Sequence, residues 1–384
     1  MFLALRALGH QRGRFLLMGA VIGLLALLTV MLSGLSTGLV NDGVSGLQHL
    51  PASAVAFDEG TKEDNGFSRS VVDADQRDAW AAQDGVADAE LFGVSLVNGT
   101  TTDGEQVDLT LFGVDPGSFL APEAAEGDGL ATPGGIVVSD TARQEGIEIG
   151  DTVELDRVGT ELTVVGFTGR QDTFGHVDVA YLPLATWQYL ATGRSLPGEP
   201  TADLVAADHV DTASVVALRT ADDADLADAV DVAAGDTAAG TTTRTLDEAF
   251  HASPGYTAET TTIEMIQVFL YAIAALVVGA FFSVWTVQRQ HELAVLRAVG
   301  APTAFLLRDG VTQAATVLAV FSALGVGAGV GLGALMPAGM PFALEAAPVA
   351  LATALMIGLG LLGAALAVLR IVRIDPLTAL GGQR

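Results

Sequence analysis

The 384 residues are half hydrophobic and only 16% charged, yet they carry a formal net charge of −27. The two figures coexist because they belong to different stretches: 40 Asp/Glu and nine Lys/Arg between Val40 and Thr262 leave −31, and the rest of the chain is +4. This balance excludes a nucleic-acid binder, whose phosphate-facing surface must be basic, and the lack of cysteine excludes disulfides and thiolate-based metal sites.

Four stretches have the length and apolarity to span a bilayer. In chain order they are Phe15 to Leu35, Met265 to Gln288, Gly310 to Met336 and Ala346 to Leu369, none with a charged side chain. The first is too long for the apolar region of a secretory signal, despite Arg6, Arg12 and Arg14 before it. Orientation follows from basic residues, which stay on the cytoplasmic side. Arg6, Arg12 and Arg14 precede the first span, Arg289, Arg297 and Arg308 lie between the second and third, and Arg370, Arg373 and Arg384 follow the fourth. Both termini are therefore expected in the cytoplasm, with a 1 + 3 arrangement of spans. The expected division is a cytoplasmic 1–14, spans at 15–40, 263–288, 310–336 and 346–370, an outside segment 41–262, a cytoplasmic element 289–309, an outer turn 337–345 and a cytoplasmic tail 371–384.

The outside segment reads as a folded α+β domain. Alternating β-branched runs predict strands at Asp108 to Val114, Gly135 to Val138, Leu162 to Val165, Val177 to Leu182 and Ala213 to Leu218. Helical patterns fall at Asp73 to Gln83, Ser139 to Glu145, Leu184 to Ala191, Ala224 to Ala233 and Leu246 to Phe250. The acidic cluster Asp222, Asp223, Asp225 and Asp228 lacks the loop pattern and distal Glu of a calcium site and reads as a solvated helix face.

Catalytic signatures are missing from these residues. No Gly-x-x-x-x-Gly-Lys-Ser/Thr occurs, and Lys62 is the one lysine, so the chain supplies no P-loop of its own. There is no Gly-x-Ser-x-Gly elbow, no His-Glu-x-x-His, and no pair at metal-ligand spacing among His10, His49, His176, His209, His251 and His291. No enzymatic activity is expected to reside in this chain. Small residues set how its helices meet, since apolar burial gives no net drive in lipid. Gly325, Gly329 and Gly333 suit packing within the chain, with Gly327 and Gly331 on another stripe; Gly34 and Gly38, at the outer end of the first span, are candidates for a contact between two copies.

The second span continues past the membrane as Gln288-Arg-Gln-His-Glu-Leu-Ala-Val-Leu-Arg-Ala-Val-Gly-Ala-Pro302, with Gly300 and Pro302 ending one helix and opening the next. Within it, Glu292-Leu-Ala-Val-Leu-Arg-Ala-Val-Gly-Ala301 resembles the E-x-x-x-L-R-A-x-G-A signature of ABC-transporter permeases of the MacB/FtsX type. The Gly135…Ser139…Gly150-Asp151-Thr-Val…Val164-Val-Gly166 pattern and the closing Asp375-Pro-Leu-Thr-Ala-Leu380 are similar to the same family, and Gly13-Arg-Phe-Leu-Leu17 with Leu32-Ser-Gly-Leu35 resembles its DevC/HrtB-like branch. The resemblance implies an α-helical membrane protein with four transmembrane helices and an extracytoplasmic domain of MacB periplasmic-core type, built of two α/β halves (about 55–128 and 200–250) with a β-rich insert at about 129–199. It implies a homodimer in the cell membrane bound to two copies of a separate ATPase subunit, which would meet Glu292, Leu296, Arg297, Gly300 and Ala301. No intrinsic cofactor is implied.

The same branch implies heme as cargo, with another amphiphile (peptide, lipid or antibiotic) or FtsX-like signalling that moves no solute as the alternatives. Heme iron accepts His, Met, Tyr or carboxylate donors, and the macrocycle wants apolar walls. Glu264 is the ionisable residue at the outer edge of the second span, with Met265 beside it, and Met31 lies near that depth on the first span. Glu264 is the expected iron ligand, with Tyr256, Tyr271 and Met31 lining the cavity and His251 and Met265 as further candidates; the plainer account of Glu264 is a carboxylate that reaches water and does nothing else.

Overall fold

A computed structural model of the chain describes residues 12–195, 197–207, 210–221, 224–288, 295, 299–337 and 340–372. They fall into two compact units, Met1–Gly38 with Thr260–Arg384, and Leu39–Glu259.

The first unit is built from four long helices, Arg12–Gln48, Tyr256–Gln288, Thr303–Gly333 and Ala346–Val372, each long and apolar enough to cross a membrane; residues 39–48 of the first and 256–259 of the second belong to the second unit. Two of them differ from the spans expected at 15–40 and 263–288. The first runs on to Gln48 and the second begins at Tyr256, directly after the positive-φ Gly255. At about 1.5 Å per residue these helices exceed the roughly 30 Å apolar layer of a bilayer. Hydropathy marks only the lipid-facing part of a helix, so the polar extensions escape it. The third helix starts at Thr303, with Pro302 in an extended conformation just ahead of it, where the Gly300–Pro302 break predicts a new helix that runs into the span expected from 310.

Inside this unit the helices meet through glycines. A Cβ on Gly19 would lie 2.2 Å from the Phe321 ring, one on Gly325 would lie 2.1 Å from the backbone oxygen of Gly23, and one on Gly329 would lie 2.8 Å from Val30. The first and third helices therefore approach backbone to backbone. The second and fourth do the same, since a Cβ on Gly363 would sit 2.6 Å from the Ala275 carbonyl oxygen. Met18, Ile22, Val278, Phe282, Val317, Leu318 and Ala364 close the core between them. Gly34 and Gly38, expected at a contact between copies, are instead occupied by their own chain: added Cβ atoms would strike the Phe342 ring at 2.4 Å and the Pro341 carbonyl at 2.3 Å. The Ala343 N–H also donates to the Gly34 carbonyl at 3.0 Å. The outer turn is short, yet its Phe342 fills the space that the two glycines leave.

The second unit is organised by one twisted sheet. The strands of the unit are β1 Ala54–Asp58, β2 Val72–Asp73, β3 Val86–Thr101, β4 Gln106–Val114, β5 Glu126–Gly127, β6 Gly135–Val138, β7 Thr152–Leu155, β8 Glu161–Phe167, β9 Thr173–Phe174, β10 Val177–Pro183, β11 Thr212–Ala213, β12 Val215–Thr220 and β13 Thr241–Thr245. Across the sheet the order is β13-β1-β12-β3-β4-β10-β6-β8-β5, with β7 joining β3 to β8 and β9 pairing β10. The 16-residue β3 holds the unit together. Its first half pairs β12 from Val86 to Phe92, and its second half pairs β4 from Gly93 to Thr100 and β7 from Gly99 to Thr101.

Both faces of the sheet are covered. Ala54, Ala56, Val216 and Leu218 join one core with Trp80, whereas Val55, Phe57, Val215 and Ala217 join the other with Phe92, Phe112 and Phe174. That second core also takes Val44, Leu47 and Leu50, the end of the first long helix. The buried apolar residues among these polar ones explain why the helix persists so far. Differences from the predicted elements are local. Ser139 to Glu145 forms a 3₁₀ turn at Asp140–Glu145 rather than an α-helix, and Ala224 to Ala233 divides at the extended Val230 into Leu226–Ala229 and Val232–Ala239. At the sheet edge, the outward N–H groups of Thr243 and Thr245 are taken by the carboxylates of Asp236 at 3.1 Å and Glu248 at 3.1 Å.

The glycines give a matched test of helix packing. Gly325→Leu forces a side chain into the Gly23 backbone and should destabilise the chain by about 1–3 kcal/mol, the usual cost of overpacking. Gly327→Leu, two residues on and facing open space, should leave it near wild type. Thermal unfolding of both variants in detergent, followed by monodispersity, checks the pair.

Candidate functional site

The richest polar constellation lies within the second unit, where residues 42–49 pack on that unit's sheet. Asp42, Ser45, Gly46 and His49 fall at i, i+3, i+4 and i+7, which places them on one helix face. Each meets the segment from Arg170 to Val179. The Ser45 hydroxyl accepts from the Thr173 N–H at 2.9 Å and lies 2.9 Å from Thr173 Oγ1, which donates to the Asn41 carbonyl at 3.1 Å. The Gly43 carbonyl accepts from the Gly175 N–H at 2.8 Å. Gly46 is the point of closest approach: a Cβ there would lie 2.9 Å from Val179, 3.1 Å from the Thr173 carbonyl oxygen and 3.2 Å from Phe112.

An ionic group stands at each end of this strip. At one end the side chain of Asp172 is fully buried, with His49 Nδ1 at 2.6 Å and Arg170 Nε at 3.1 Å. At the other, His176 Nδ1 lies 2.8 Å from Asp42 and Nε2 lies 2.9 Å from Glu259, in the first turn of the second long helix. His176 occupies the tip of the hairpin joining β9 to β10. Phe174 pairs Val177, so the loop is Gly175–His176 alone, with φ of +61° and +64°. Two left-handed residues in a row make the type I′ turn that suits a two-residue hairpin, and His is among the few non-glycine residues that tolerate it.

Burial would lower the His176 pKa; its hydrogen bond to Asp42 and the charges of Glu259 and Asp42 together outweigh this and leave it raised. Nearby, burial raises the carboxyl of Asp178, against hydrogen bonds from Thr141 and Ser139 and with help from the charges of Asp42 and Asp172. Burial likewise pushes Tyr181 up, reinforced by Asp172.

The sequence-predicted residues divide between the two units. In the outer unit, His251 is exposed, its Nδ1 lies 3.1 Å from the Thr257 hydroxyl, and its ring meets Tyr256 edge-on at 5.4 Å between centroids. Tyr256 packs in turn against Phe250. In the helical unit, Glu264 and Met265 are exposed, Met265 by 57%, and Glu264 has no hydrogen bond or ion pair among the described residues. Tyr271 is half-buried against Leu25, Ala26, Ala274 and Met356, and Met31 is half-buried. Of the coupling residues, Gly300 has a φ of +99° and Ala301 packs against Leu306 and Val368. Glu292, Leu296 and Arg297 lie outside the described residues.

A small, partly open pocket lies in the second unit over Phe57, Ala249 and Ala252, with Lys62, Arg244, Glu63 and Glu248 also lining it. Its two cations and two carboxylates cancel, so it exerts no net pull on a charged ligand.

The helical unit is where the likeness to a known family lies. Residues 265–376 match the FtsX-like permease C-terminal family. The chain aligns over all 384 residues, at 22% identity and across the full length of both chains, with a Staphylococcus haemolyticus protein named "Putative hemin transport system permease protein HrtB". A Staphylococcus epidermidis protein of the same name is 28% identical over 143 residues, an alignment that spans only 37% of this chain and 41% of that one. An uncharacterized ABC transporter permease of Mycobacterium tuberculosis is 26% identical over 274 residues, 71% of this chain and 69% of its own. Among solved structures, the extracellular domain of the noncanonic ABC-type transporter YknZ covers 50% of this chain and 98% of its own at a TM-score of 0.35 and 14% identity. The periplasmic region of MacB from Actinobacillus actinomycetemcomitans covers 51% and 89% at 0.36 and 12%. The chain is thus similar to ABC-type permeases, with four candidate membrane helices and a β-rich outer unit.

Sequence reading passes over Asp42, Ser45, Gly46, His49, Asp172, His176 and Glu259. The signal available is the polar stripe Asp42-Ser45-His49 at helical spacing, continuing an apolar span with no break.

The docking strip predicts its own weak point. Ser45→Ala leaves the buried Thr173 N–H without its acceptor, and should cost about 1–3 kcal/mol, the usual penalty for such a group. Denaturant unfolding of the whole chain, followed by tryptophan fluorescence, measures it.

Proposed function

We propose that this chain is the permease subunit of an ABC-type exporter that moves heme outward, using ATP hydrolysed by a separate subunit. The observation that carries the reading is the end-to-end alignment with a hemin-transport permease relative. The FtsX-like match over the last three helices supports the transporter class, and the absence of a P-loop from these 384 residues requires hydrolysis elsewhere. In this reading two copies of the chain assemble with two ATPase subunits in the cell membrane, both termini face the cytoplasm and the acidic unit faces outward. The ATPase meets Glu292, Leu296, Arg297, Gly300 and Ala301, where a positive-φ glycine and an extended proline separate two helices.

The proposed cargo contacts are Glu264, Met265, Met31 and Tyr271 on the membrane helices, and His251 and Tyr256 just outside. Two features favour them. Glu264 is a carboxylate without a partner among the described residues, directly before the uncharged stretch Met265–Gln288, and Tyr271, seven residues on, shares its face. His251 directs Nδ1 toward Thr257, which leaves Nε2 for an iron, and the Tyr256 ring stands beside it. Oxygen and single-imidazole ligation would hold heme weakly enough to let it go.

Two measurements test this. Hemin added to the purified chain in nanodiscs should give a shifted Soret band, weakened in Glu264→Ala; an unchanged spectrum in that variant moves the ligand to His251, and no spectral change in the wild type overturns the heme assignment. Arg297→Glu should abolish ATP-dependent heme efflux in cells while leaving insertion intact. Efflux retained in that variant removes the coupling role, and cells without the chain that stay as heme-tolerant as their parents, but change shape or lyse, favour signalling over transport.

A further inference from the structure

His176 makes more contacts than a neutral imidazole can satisfy. Nδ1 lies 2.8 Å from one oxygen of Asp42, and Nε2 lies 2.9 and 3.1 Å from the two oxygens of Glu259. Ionised carboxylates only accept, and a neutral imidazole has a single N–H to donate. With one proton on the ring, one nitrogen would present its lone pair to a carboxylate. The geometry therefore specifies the imidazolium, which donates from both nitrogens.

We propose that His176 is a proton-operated latch: as imidazolium it ties Asp42 on the first long helix to Glu259 on the second, and on losing its proton it lets Glu259 go. The elements it joins are far apart in sequence, since 134 and 83 residues separate His176 from its two partners. It reaches both because the tight β9–β10 turn puts its side chain between them, and because Gly175 is bonded to Gly43 beside it.

The groups that face the latch are few. From the first long helix comes Asp42, whose other oxygen takes the Gln171 amide at 3.4 Å. From the second comes Glu259. On the hairpin itself the carboxylate of Asp178, two residues on, is held by Thr141. No Lys or Arg pairs with Asp42 or Glu259 among the described residues, so His176 is the cation that relieves their repulsion. Glu259 is the partner that leaves. Its side chain is 39% exposed against 28% for Asp42, Asp42 has the Gln171 amide as a second donor, and the N-terminal turn of its helix favours the freed carboxylate.

The sign follows from the raised pKa. Stabilisation by the latch is complete below about pH 6.5, the ordinary value for imidazole, and is lost as pH rises through the raised folded value. Acid outside holds the two helices together; alkali frees them. This inference is independent of the cargo, and its test uses no heme.

The full chain in nanodiscs, with ¹³C-labelled histidine, should show one resonance titrating above the ordinary range that is absent in His176→Asn; asparagine keeps the left-handed turn but does not titrate. Hydrogen exchange of the peptide covering Tyr256 to Thr262, corrected for intrinsic rate, should speed up by about tenfold across that titration, as proton loss weakens the latch. In His176→Asn, and in Glu259→Gln as a second variant that leaves the turn untouched, exchange should be fast at both ends of the pH range. Wild-type exchange that ignores pH, or a pH response preserved in both variants, overturns the latch.

Discussion

The outer unit depends on the docking of one helix face. From Asp42 to His49 the first long helix alternates between two obligations, with Val44 and Leu47 buried in the aromatic core and Asp42, Ser45 and His49 bonded to the strip from Asp172 to His176. Gly46 permits both, because any side chain there would hold the helix off the sheet. The edge-on aromatic cluster of Phe92, Phe112, Phe174 and Tyr181 packs directly beneath, with ring centroids 4.9 to 5.9 Å apart. Such rings bury large areas and prefer this geometry. The polar strip adds direction to the apolar contact: it fixes which turn of helix faces which residue of the hairpin, where burial alone would allow sliding.

Fully burying Asp172 is tolerable for the same reason. A carboxylate removed from water needs hydrogen-bonding partners, and it has His49 and the Arg170 guanidinium, while its own backbone N–H donates to the Ser139 hydroxyl. His49 and Arg170 are themselves partly exposed. The ionic groups at the two ends of the strip thus differ in character. The Asp172 carboxylate is fully buried, whereas those of Asp42 and Glu259 are partly exposed.

Much of this architecture is legible in the sequence. Membrane helices announce themselves because lipid tolerates almost no charge over about 20 residues, and strands such as Gly135–Val138 because β-branched residues cluster between turns. The long β3 is harder to see. Its Gly93 and Gly99 read as breaks, and their purpose is visible only in three dimensions: Gly93 makes room for the Trp187 ring and Gly99 for Val153. The helix extensions are hidden by their polarity. Asp42, His176 and Glu259 are hidden by distance, since no local pattern links a helix, a hairpin tip and another helix. By contrast, Gly34 and Gly38 give a true signal of close packing, but a glycine pair says that something approaches, not what. Phe342 and Pro341 of the same chain fill that place. Glu264 and His251 stand out by chemistry alone, an ionisable or metal-ligating group beside an apolar stretch, and the structure adds their exposure and the orientation of one imidazole.

The strand at the sheet's margin has a further consequence. β13 ends the sheet with Thr241–Thr245, and its outward N–H groups at Thr243 and Thr245 are already taken by Asp236 and Glu248. Open strand edges recruit other strands, and molecules confined to a membrane surface meet often. Here an incoming backbone would find carbonyls without matching donors, and two carboxylates in its path. An encounter between two copies at this margin would therefore bring side chains together rather than join two sheets.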